Sequence, residues 1–167
     1  AINEVGVLFD KQKYFLPQLI SSANTMKMAI EYVEPMLERN DAEQKATIVV
    51  ATVEGDIHDI GKNIVKVLLE NYSFDVIDLG KDVPPEVIVD TAVEQDIRLV
   101  GLSALMTTTV VSMEETIKLL RERKPECKVM VGGAVLNQDY ADMIGADFYG
   151  KDAMQSVYYA QRVFGEE

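Results

Sequence analysis

The chain contains a single histidine, His58, which lies between carboxylates in the segment Glu54-Gly55-Asp56-Ile57-His58-Asp59-Ile60-Gly61. A histidine beside a carboxylate is a common metal-ligand pair. The carboxylate accepts the Nδ1–H, fixes the tautomer and raises the basicity of Nε2. The same residues also fit a solvated loop in which Asp56 caps the following helix. From this segment alone both interpretations stay open.

Two other segments carry groups that could contact a polar ligand. The segment Gly101–Thr109 contains four hydroxyl side chains. Hydroxyls can donate to a ligand or cap the next helix, but capping by Thr108 or Thr109 would account for only one of the four. The segment Gly132-Gly133-Ala134 contains paired glycines. Such a pair allows a ligand to approach the backbone closely, or simply forms a turn with positive φ.

These three segments each follow a predicted β-strand. The β-branched run 47–53 is apolar on both faces, which is typical of a buried strand in a parallel sheet. Further strands are expected near 74–79, 98–102, 128–131 and 147–149, and helices near 85–95, 111–123, 138–144 and 153–163. Five strands that alternate with five helices predict an α/β fold with a flavodoxin-like, doubly wound parallel sheet. Ligands of such sheets bind beyond the carboxyl ends of the strands, where the three segments should meet.

Two helical patterns flank the first strand. After it, Ile60, Ile64 and Leu68 recur every four residues, with Lys62 and Lys66 off that face. Before it, a helical stretch is expected over about residues 1 to 38, in which Pro17 suits the first turn and Pro35 kinks or ends the helix near Glu34. Its apolar face is Leu19, Ala23, Met26, Ile30, Val33 and Leu37. We expect a helical cap over 1–40, incomplete at its N-terminus, and an α/β domain over 46–167.

Composition narrows the class of partner. The chain has 28 acidic and 16 basic residues, a formal charge of -12, which disfavours nucleic acid and anionic lipid surfaces. No apolar run approaches the roughly 20 residues of a membrane span, and no signal peptide is visible. Cys127 is the only cysteine and cannot build a disulfide framework or a cysteine-based zinc site. The expected location is the cytoplasm.

Several familiar α/β ligands do not fit the loops. A flavin mononucleotide site needs a hydroxyl-rich phosphate loop where this chain carries carboxylates. Ser103 stands where a phosphorylated receiver has its aspartate, and the glycine-rich turn of a dinucleotide site is absent. A divalent-metal hydrolase built on Asp56, His58 and Asp59 stays open, although it would leave the hydroxyl and glycine segments unexplained.

Taken together, the three segments resemble the cobalamin-binding domain family. The family fingerprint D-x-H-x-x-G, S-x-L and G-G is matched in order and spacing by Asp56–Gly61, Ser103–Leu105 and Gly132-Gly133. Upstream, Phe9 and the run 14–18, with Met26-Lys27 and 32–35, resemble the helical cap of methionine synthase and related corrinoid proteins. The resemblance covers nearly the whole chain.

The resemblance implies a cofactor and a site. The chain would bind cobalamin, as methylcobalamin, with the dimethylbenzimidazole base displaced from cobalt. His58 would be the lower axial ligand of the cobalt, held by Asp56, and Thr109 would extend the hydrogen-bonded chain. These three would form the catalytic group, with proton uptake on the chain offsetting release of the histidine from cobalt. The implied cofactor-binding residues are Gly55, Asp56, Ile57, His58, Asp59, Ile60, Gly61, Ser103, Leu105, Thr107, Gly132, Gly133, Ala134, Phe9 and Leu16.

Within that set, the resemblance assigns separate tasks. The nucleotide tail would enter a slot beside Ser103, Leu105 and the glycine pair, whose lack of side chains would leave it room. Thr107 would bond the corrin edge or the tail. Phe9 and Leu16 would cover the methyl face.

The function implied is methyl carriage within a cobalamin-dependent methyltransferase. The chain would not be catalytic alone and would need methyl-donor, methyl-acceptor and reactivation domains or subunits. The favoured donor is methyltetrahydrofolate and the favoured acceptor thiol is homocysteine, as in methionine synthase. The alternatives are a corrinoid protein of a methanol or methylamine methyltransferase system, or a corrinoid-based regulatory sensor. Because residue 1 falls within a predicted cap helix, we expect a longer polypeptide or a processed form.

Overall fold

A five-stranded, all-parallel sheet forms the centre of the molecule. The computed structural model describes residues 2–33 and 46–165. The strands are β1 (Thr47–Thr52), β2 (Asp75–Asp78), β3 (Leu99–Ser103), β4 (Lys128–Gly132) and β5 (Phe148–Tyr149). Their order in the sheet is β2-β1-β3-β4-β5. This confirms the doubly wound α/β fold predicted from the sequence, with its switch point between β1 and β3.

The helices of the α/β region lie where the sequence predicted them, within a few residues. They are α3 (Ile60–Asn71), α4 (Pro85–Glu94), α5 (Val110–Arg123), α6 (Gln138–Met143) and α7 (Ala153–Gly165), and a short 3₁₀ helix, Thr107–Thr109, precedes α5. α4 begins at Pro85, where a missing N–H removes no helical hydrogen bond. These helices follow the strands in alternation and so make the sheet parallel.

The N-terminal stretch is two helices, where the sequence predicted one. α1 spans Ile2–Asp10 and α2 spans Leu16–Val33. Between them Gln12 has a φ of 57°, a left-handed conformation that interrupts a helix. Leu19, on the predicted apolar face, is fully buried. The predicted contributions of Pro35 and Leu37 lie outside the described residues, as do the side chains of Ala23, Met26, Ile30 and Val33.

Both faces of the sheet are covered by apolar side chains. From β1, Ile48 and Val50 pack into one cluster while Val49 and Ala51 pack into the other. This alternation explains why the whole run is apolar. α3, α7 and the N-terminal helices cover the first face, and α4, α5 and α6 cover the second. Among the described residues, no helix is both long and apolar enough to cross a membrane.

The first turns of α3 depart from the predicted pattern. Ile60, expected on the buried face, is 78% exposed, whereas Lys62, expected off that face, is 4% exposed. The Lys62 Nζ lies 2.5 Å from Asp78 Oδ1 and 3.1 Å from the Gly80 carbonyl oxygen. Burial alone would raise the pKa of Asp78, but the hydrogen bonds from Lys62 and the Gly80 N–H lower it. An ionic partner at the end of β2 therefore replaces the apolar contact that periodicity suggested.

Cys127 lies just before β4 and is fully buried. Burial raises the pKa of its thiol to about 11. The thiol is therefore protonated at neutral pH and out of contact with solvent.

Candidate functional site

The side chains of His58 and Asp56 are in direct contact. Asp56 Oδ1 accepts a hydrogen bond from the His58 backbone N–H at 3.0 Å and lies 2.8 Å from His58 Nδ1. Asp56 is fully buried, whereas the imidazole is 46% exposed. The loop therefore holds the ring by one edge and leaves the other edge accessible.

The second carboxylate oxygen of Asp56 is bonded to the hydroxyl-bearing segment. Asp56 Oδ2 accepts from the Leu105 N–H at 2.6 Å, from the Met106 N–H at 3.2 Å and from the Thr109 hydroxyl, whose oxygen is 2.9 Å away. His58, Asp56 and Thr109 thus form one contiguous hydrogen-bonded chain, in the order expected from the sequence.

Helix capping does not account for these side chains. The N-cap residue of α3 is Asp59, and it makes no side-chain cap hydrogen bond. Thr109 occupies the N-cap position of α5, again without a side-chain cap hydrogen bond. The carboxylate of Asp56 is directed instead to His58 and to the loop after β3.

The protonation state of Asp56 fixes the tautomer of His58. Burial alone would raise the Asp56 pKa, but the hydrogen bonds from the Leu105 N–H, from His58 and from Thr109 outweigh it and hold the pKa well below its ordinary value. An ionised carboxylate only accepts hydrogen bonds, so Nδ1 must carry the proton. In the neutral ring Nε2 then presents its lone pair and can bind a metal ion.

The sheet brings these two loops together. β1 and β3 are paired with Thr52 opposite Ser103, and the Val53 N–H donates to the Ser103 carbonyl at 3.1 Å. The chain then turns at Gly55, whose φ of 82° favours glycine. A Cβ at Gly55 would also lie 3.3 Å from Thr109 Cγ2. The glycine therefore permits the close approach that places Asp56 beneath the loop after β3.

A cavity of about 390 Å³ opens on the α3 and α7 face of the sheet. Its walls include seven of the residues expected from the sequence, and these are Phe9, Leu16, Gly61, Ser103, Gly132, Gly133 and Ala134. We call this cavity the slot. Gly61 connects it to the histidine loop, three residues from His58.

The other expected cofactor-binding residues lie outside the slot, and all of them except the buried Asp56 are at least partly exposed around the histidine. Ile57 is 61% exposed, Ile60 78% and Leu105 40%. Gly55, Asp59 and Thr107 belong to the same two loops and do not line the slot. The predicted site therefore divides into an exposed apolar face around His58 and a recess beside it.

Gly133 has the positive φ that was one of the two explanations offered for the glycine pair, and a close backbone contact adds a reason that the sequence did not suggest. Its φ is 138°, and a Cβ there would lie 1.8 Å from the Ala104 carbonyl oxygen. The absent side chain thus allows contact between the loops after β3 and β4, and does not only leave room in the slot. A Cβ at Gly132 would lie 3.5 Å from the Gly150 oxygen, an ordinary contact.

Sequence reasoning missed much of the slot wall. The missed residues include Ile64 and Val65 of α3, Gly101 and Met130 of the sheet, and Ala153 and Ser156 of α7. Gly101, inside a strand, was a readable signal of close approach, and a Cβ there would lie 2.9 Å from Met130 Cε. The α7 residues carry no local signal, because the fold alone brings them beside β3.

The arrangement does not support the metal-hydrolase alternative. Among residues 2–33 and 46–165, no group of three or more His, Cys, Asp or Glu side chains is placed to hold a metal ion. His58 offers one nitrogen, so it suits a metal whose other ligands come from a cofactor.

A cobalamin would satisfy that requirement, and the described residues fit one. The corrin ring supplies the equatorial ligands of its cobalt. The exposed apolar residues around His58 suit a flat macrocycle, and the slot offers a recess for the nucleotide tail.

Comparison with known proteins agrees with this fit. A family model described as a B12 binding domain matches residues 46–158, and a second model of the same description matches residues 1–34. Dimethylamine corrinoid protein 1 of Methanosarcina acetivorans is 42% identical over 165 residues, covering 97% of this chain and 78% of that protein.

Two solved structures are similar to the chain along nearly its whole length. A cobalamin-binding protein from Desulfitobacterium hafniense DCB-2 has a TM-score of 0.85 and 38% identity, covering 98% of this chain and 78% of that one. A methanol:cobalamin methyltransferase complex from Methanosarcina barkeri has a TM-score of 0.83 and 32% identity, covering 99% of this chain and 64% of that one. The chain therefore belongs to the B12-binding domain family, and its cofactor is a cobalamin.

Proposed function

We propose that the chain is the corrinoid carrier protein of a methylamine methyltransferase system. It would hold cobalamin through His58 and pass a methyl group from a methylated amine, activated by a partner methyltransferase, to an acceptor thiol on a second partner. The observation that carries this proposal is the His58–Asp56–Thr109 chain beside the slot. When bound, the cofactor supplies a cobalt that accepts and donates a methyl group.

The relatives favour this system over the one that we first expected. The methionine synthase assignment, with methyltetrahydrofolate and homocysteine, rested on the cap and on the run 14–18. The comparisons give methylamine and methanol corrinoid proteins across both the cap and the α/β domain. Methionine biosynthesis is therefore not supported, and the alternative reading becomes the proposal.

His58 would bind the cobalt of the cofactor, and Asp56 and Thr109 would hold the imidazole in place for it. With Nδ1–H donated to Asp56, the Nε2 lone pair is free to bind a metal. The buried Asp56 carboxylate would hold the imidazole in this orientation. Thr109 and the loop amides keep that carboxylate ionised by donating to its other oxygen. The hydrogen-bonded chain would thereby keep Nε2 available to the cobalt of the cofactor.

The slot residues would bind the nucleotide tail. Gly61, Ser103 and the loop after β4 lie at the carboxyl ends of the strands, where α/β proteins bind ligands. Ile57, Ile60 and Leu105 would support the corrin ring, and Thr107 lies in the same loop as Leu105. Phe9 and Leu16 line the slot, and their expected role as a cover for the methyl face is part of the proposal.

The first test is the state of the bound cofactor. Methylcobalamin added to the apoprotein should keep the absorbance of a cobalt with a nitrogen ligand, because the His58 imidazole would replace the dimethylbenzimidazole base. Labelling with ¹⁵N-histidine should change the nitrogen coupling in the Co(II) electron paramagnetic resonance (EPR) signal from triplets to doublets, and the label reports on His58 alone because this chain has one histidine. His58→Ala should remove the coupling. A nitrogen coupling that does not respond to the histidine label would contradict the proposal, because the nitrogen would then come from the dimethylbenzimidazole base.

A second test concerns the placement of the tail. Ala153 lines the slot near the start of α7, so Ala153→Leu should fill the recess and weaken cobalamin binding by at least about tenfold. Lys118→Leu places the same side chain on the exposed surface of α5 and serves as the control. Equal affinity in the two variants would argue that the tail lies elsewhere.

A third test concerns the methyl donor. The cobalamin-loaded chain, first reduced to Co(I) with a chemical reductant, should be methylated by a dimethylamine methyltransferase with dimethylamine, and not by methyltetrahydrofolate with a folate-dependent partner. Mass change of the cofactor measures the transfer. Methylation from the folate donor alone would restore the methionine synthase assignment.

A further inference from the structure

The loop after β2 makes direct contact with the backbone of the histidine loop. The Gly55 N–H donates to Asp82 Oδ1 at 2.7 Å. In return the Asp82 N–H donates to the Asp56 carbonyl oxygen at 3.0 Å. The two hydrogen bonds therefore engage the backbone N–H of Gly55 and the backbone carbonyl of Asp56. They hold the backbone at the residue whose side chain positions His58.

Asp82 adopts the backbone conformation that this double contact needs. Its φ is 56°, in the left-handed region that Asp, Asn and Gly tolerate and other residues disfavour. An asparagine could therefore reproduce both the conformation and the acceptor. A glycine could reproduce only the conformation, and an alanine neither.

The segment that carries Asp82 is itself held on both sides. Before it, the Gly80 carbonyl accepts from the Thr52 N–H at 2.9 Å and from Lys62 Nζ at 3.1 Å. After it, Val83 forms a parallel bridge with Val53, and its N–H donates to the Thr52 carbonyl at 3.1 Å. The carboxylate of Asp82 is therefore presented from a fixed base, and the buried Lys62 contributes to that base.

From these contacts we infer that Asp82 is a positioning residue for the axial histidine, acting on His58 through Gly55 and Asp56. It clamps the turn that aims the Asp56 carboxylate at His58 Nδ1. The inference rests on the proposed function of His58, but the clamp itself can be measured in the apoprotein. None of the three sequence segments that match the family fingerprint contains Asp82.

The experiment compares Asp82→Asn, Asp82→Gly and Asp82→Ala with the wild-type apoprotein. The first readout is hydrogen exchange of the Gly55 amide, which lies on an exposed turn. The second is the ¹⁵N shift of the single imidazole. Asp96→Gly is the matched control, because Asp96 also has a positive φ, 50°. It precedes β3 and so lies at the amino ends of the strands, away from the histidine loop.

Loss of the acceptor should be visible at both positions. In Asp82→Gly, exchange at Gly55 should rise by about tenfold or more and the imidazole shift should move, because a hydrogen bond to a charged acceptor is lost. In Asp82→Asn, the exchange rate at Gly55 should stay within about threefold of the wild-type rate, and the imidazole ¹⁵N shift should equal that of the wild type. Asp82→Ala should be at least as perturbed as Asp82→Gly.

The inference is overturned if Asp82→Gly matches Asp96→Gly at both Gly55 and His58. It is also overturned if Asp82→Asn is as perturbed as Asp82→Gly. If Asp82→Ala failed to fold, that would agree with the inference, because alanine supplies neither the left-handed conformation nor the hydrogen-bond acceptor. The comparison of Asp82→Gly with Asp96→Gly would then still test the inference. If wild-type protein lacked the ¹⁵N coupling in its Co(II) signal, the proposed role of His58 would fail while the apoprotein readouts still judged the clamp.

Discussion

Asp56 is a buried charge that is stabilised by hydrogen-bond donors. Its two oxygens meet the backbone N–H and Nδ1 of His58 on one side and two loop amides and the Thr109 hydroxyl on the other. Charge-assisted hydrogen bonds of this kind are the strong ones, and losing one partner leaves the rest unpaired. The same residue therefore serves the fold and the histidine.

Replacing the Asp56 carboxylate should destabilise the folded protein. Asp56→Asn would put amide hydrogens against existing donors, and we expect it to lower the free energy of unfolding by about 2–4 kcal/mol at pH 7. Asp59→Asn, in the same loop but without a side-chain cap bond, is the control and should change it by less than about 0.5 kcal/mol. Denaturant titration measures both. Similar stability of the two variants would contradict the assigned contacts.

Lowering the pH should remove the contribution of Asp56 to the stability of the wild-type protein. Because the pKa of Asp56 is lower in the folded chain than its ordinary value of 3.8, the folded state favours the ionised carboxylate. Its stabilisation is complete above about pH 4 and is lost as the pH falls towards the lower folded pKa. Unfolding curves between about pH 6 and pH 3 should show a steeper loss in wild type than in Asp56→Asn. Parallel curves would argue that the folded pKa is not lowered.

Thr109 isolates one donor to that carboxylate. Thr109→Val keeps the shape but removes the hydroxyl, and we expect a loss of about 1–2 kcal/mol because the Asp56 oxygen loses a buried donor. Thr109→Ser keeps the hydroxyl and should retain most of that stability. Thermal unfolding of the two variants measures the difference, and equal losses would show that the methyl group matters more than the bond.

At the scale of elements, the loops after β3 and β4 are locked by backbone contact. Gly133→Ala would place a Cβ 1.8 Å from the Ala104 carbonyl oxygen at a φ of 138°. We expect it to lower the unfolding free energy by about 2 kcal/mol or more, since backbone must move. Gly132→Ala meets only the Gly150 oxygen at 3.5 Å and is the matched control, expected to cost less than about 1 kcal/mol. Urea unfolding of both measures this, and equal stability would place the two loops further apart.

Because of this contact, a Gly133→Leu variant could not show where the nucleotide tail binds. The leucine side chain would displace the loop after β3, so a loss of cobalamin binding would not prove that the slot had been blocked. Ala153→Leu avoids the problem, because Ala153 lies on a helix that already tolerates a Cβ.

The strands and most of the helices could be predicted from the local sequence pattern. The run 47–53 predicted β1, because burial on both faces requires apolar residues at every position. The break between α1 and α2 was not readable, because it depends on a left-handed Gln12. Lys62 was misplaced for a related reason, since its buried position depends on Asp78, which only the sheet brings near.

The candidate site divides in the same way. Asp56 and His58 could be singled out because they lie in a loop directly after a predicted strand, whereas the link to Thr109 came from the resemblance to the cobalamin-binding family. Asp82 and Ser156 could not, because Asp82 acts through a hydrogen bond between loops and Ser156 reaches the slot from the last helix. Spacing along the chain does not encode either contact.

At the scale of the whole molecule, the N-terminal helices share a core with the α/β region. Leu19 is fully buried and packs with residues of α3 and α7, while Phe9 and Leu16 line the slot. Residues 1–40 and 46–167 remain our predicted division of the chain. The shared core means that removing the first part should affect both stability and cofactor binding.

A chain of residues 46–167 tests that division. It keeps every strand and α3 to α7, so it should fold, with unfolding free energy lower by about 2–5 kcal/mol because the surface under Leu19 is exposed. Its affinity for cobalamin should fall, because Phe9 and Leu16, which line the slot, are missing. Circular dichroism melting and spectral titration measure these effects. Unchanged affinity would show that the cap does not contribute to the site.

The buried thiol before β4 has a consequence for the proposed role of the chain as a methyl carrier. With a pKa raised to about 11, only about one Cys127 thiol in ten thousand is a thiolate at neutral pH. The proposed methyl carrier would thus present almost no thiolate of its own, and methylation of Cys127 would be suppressed. The methyl group would then remain available to the acceptor thiol of a partner protein.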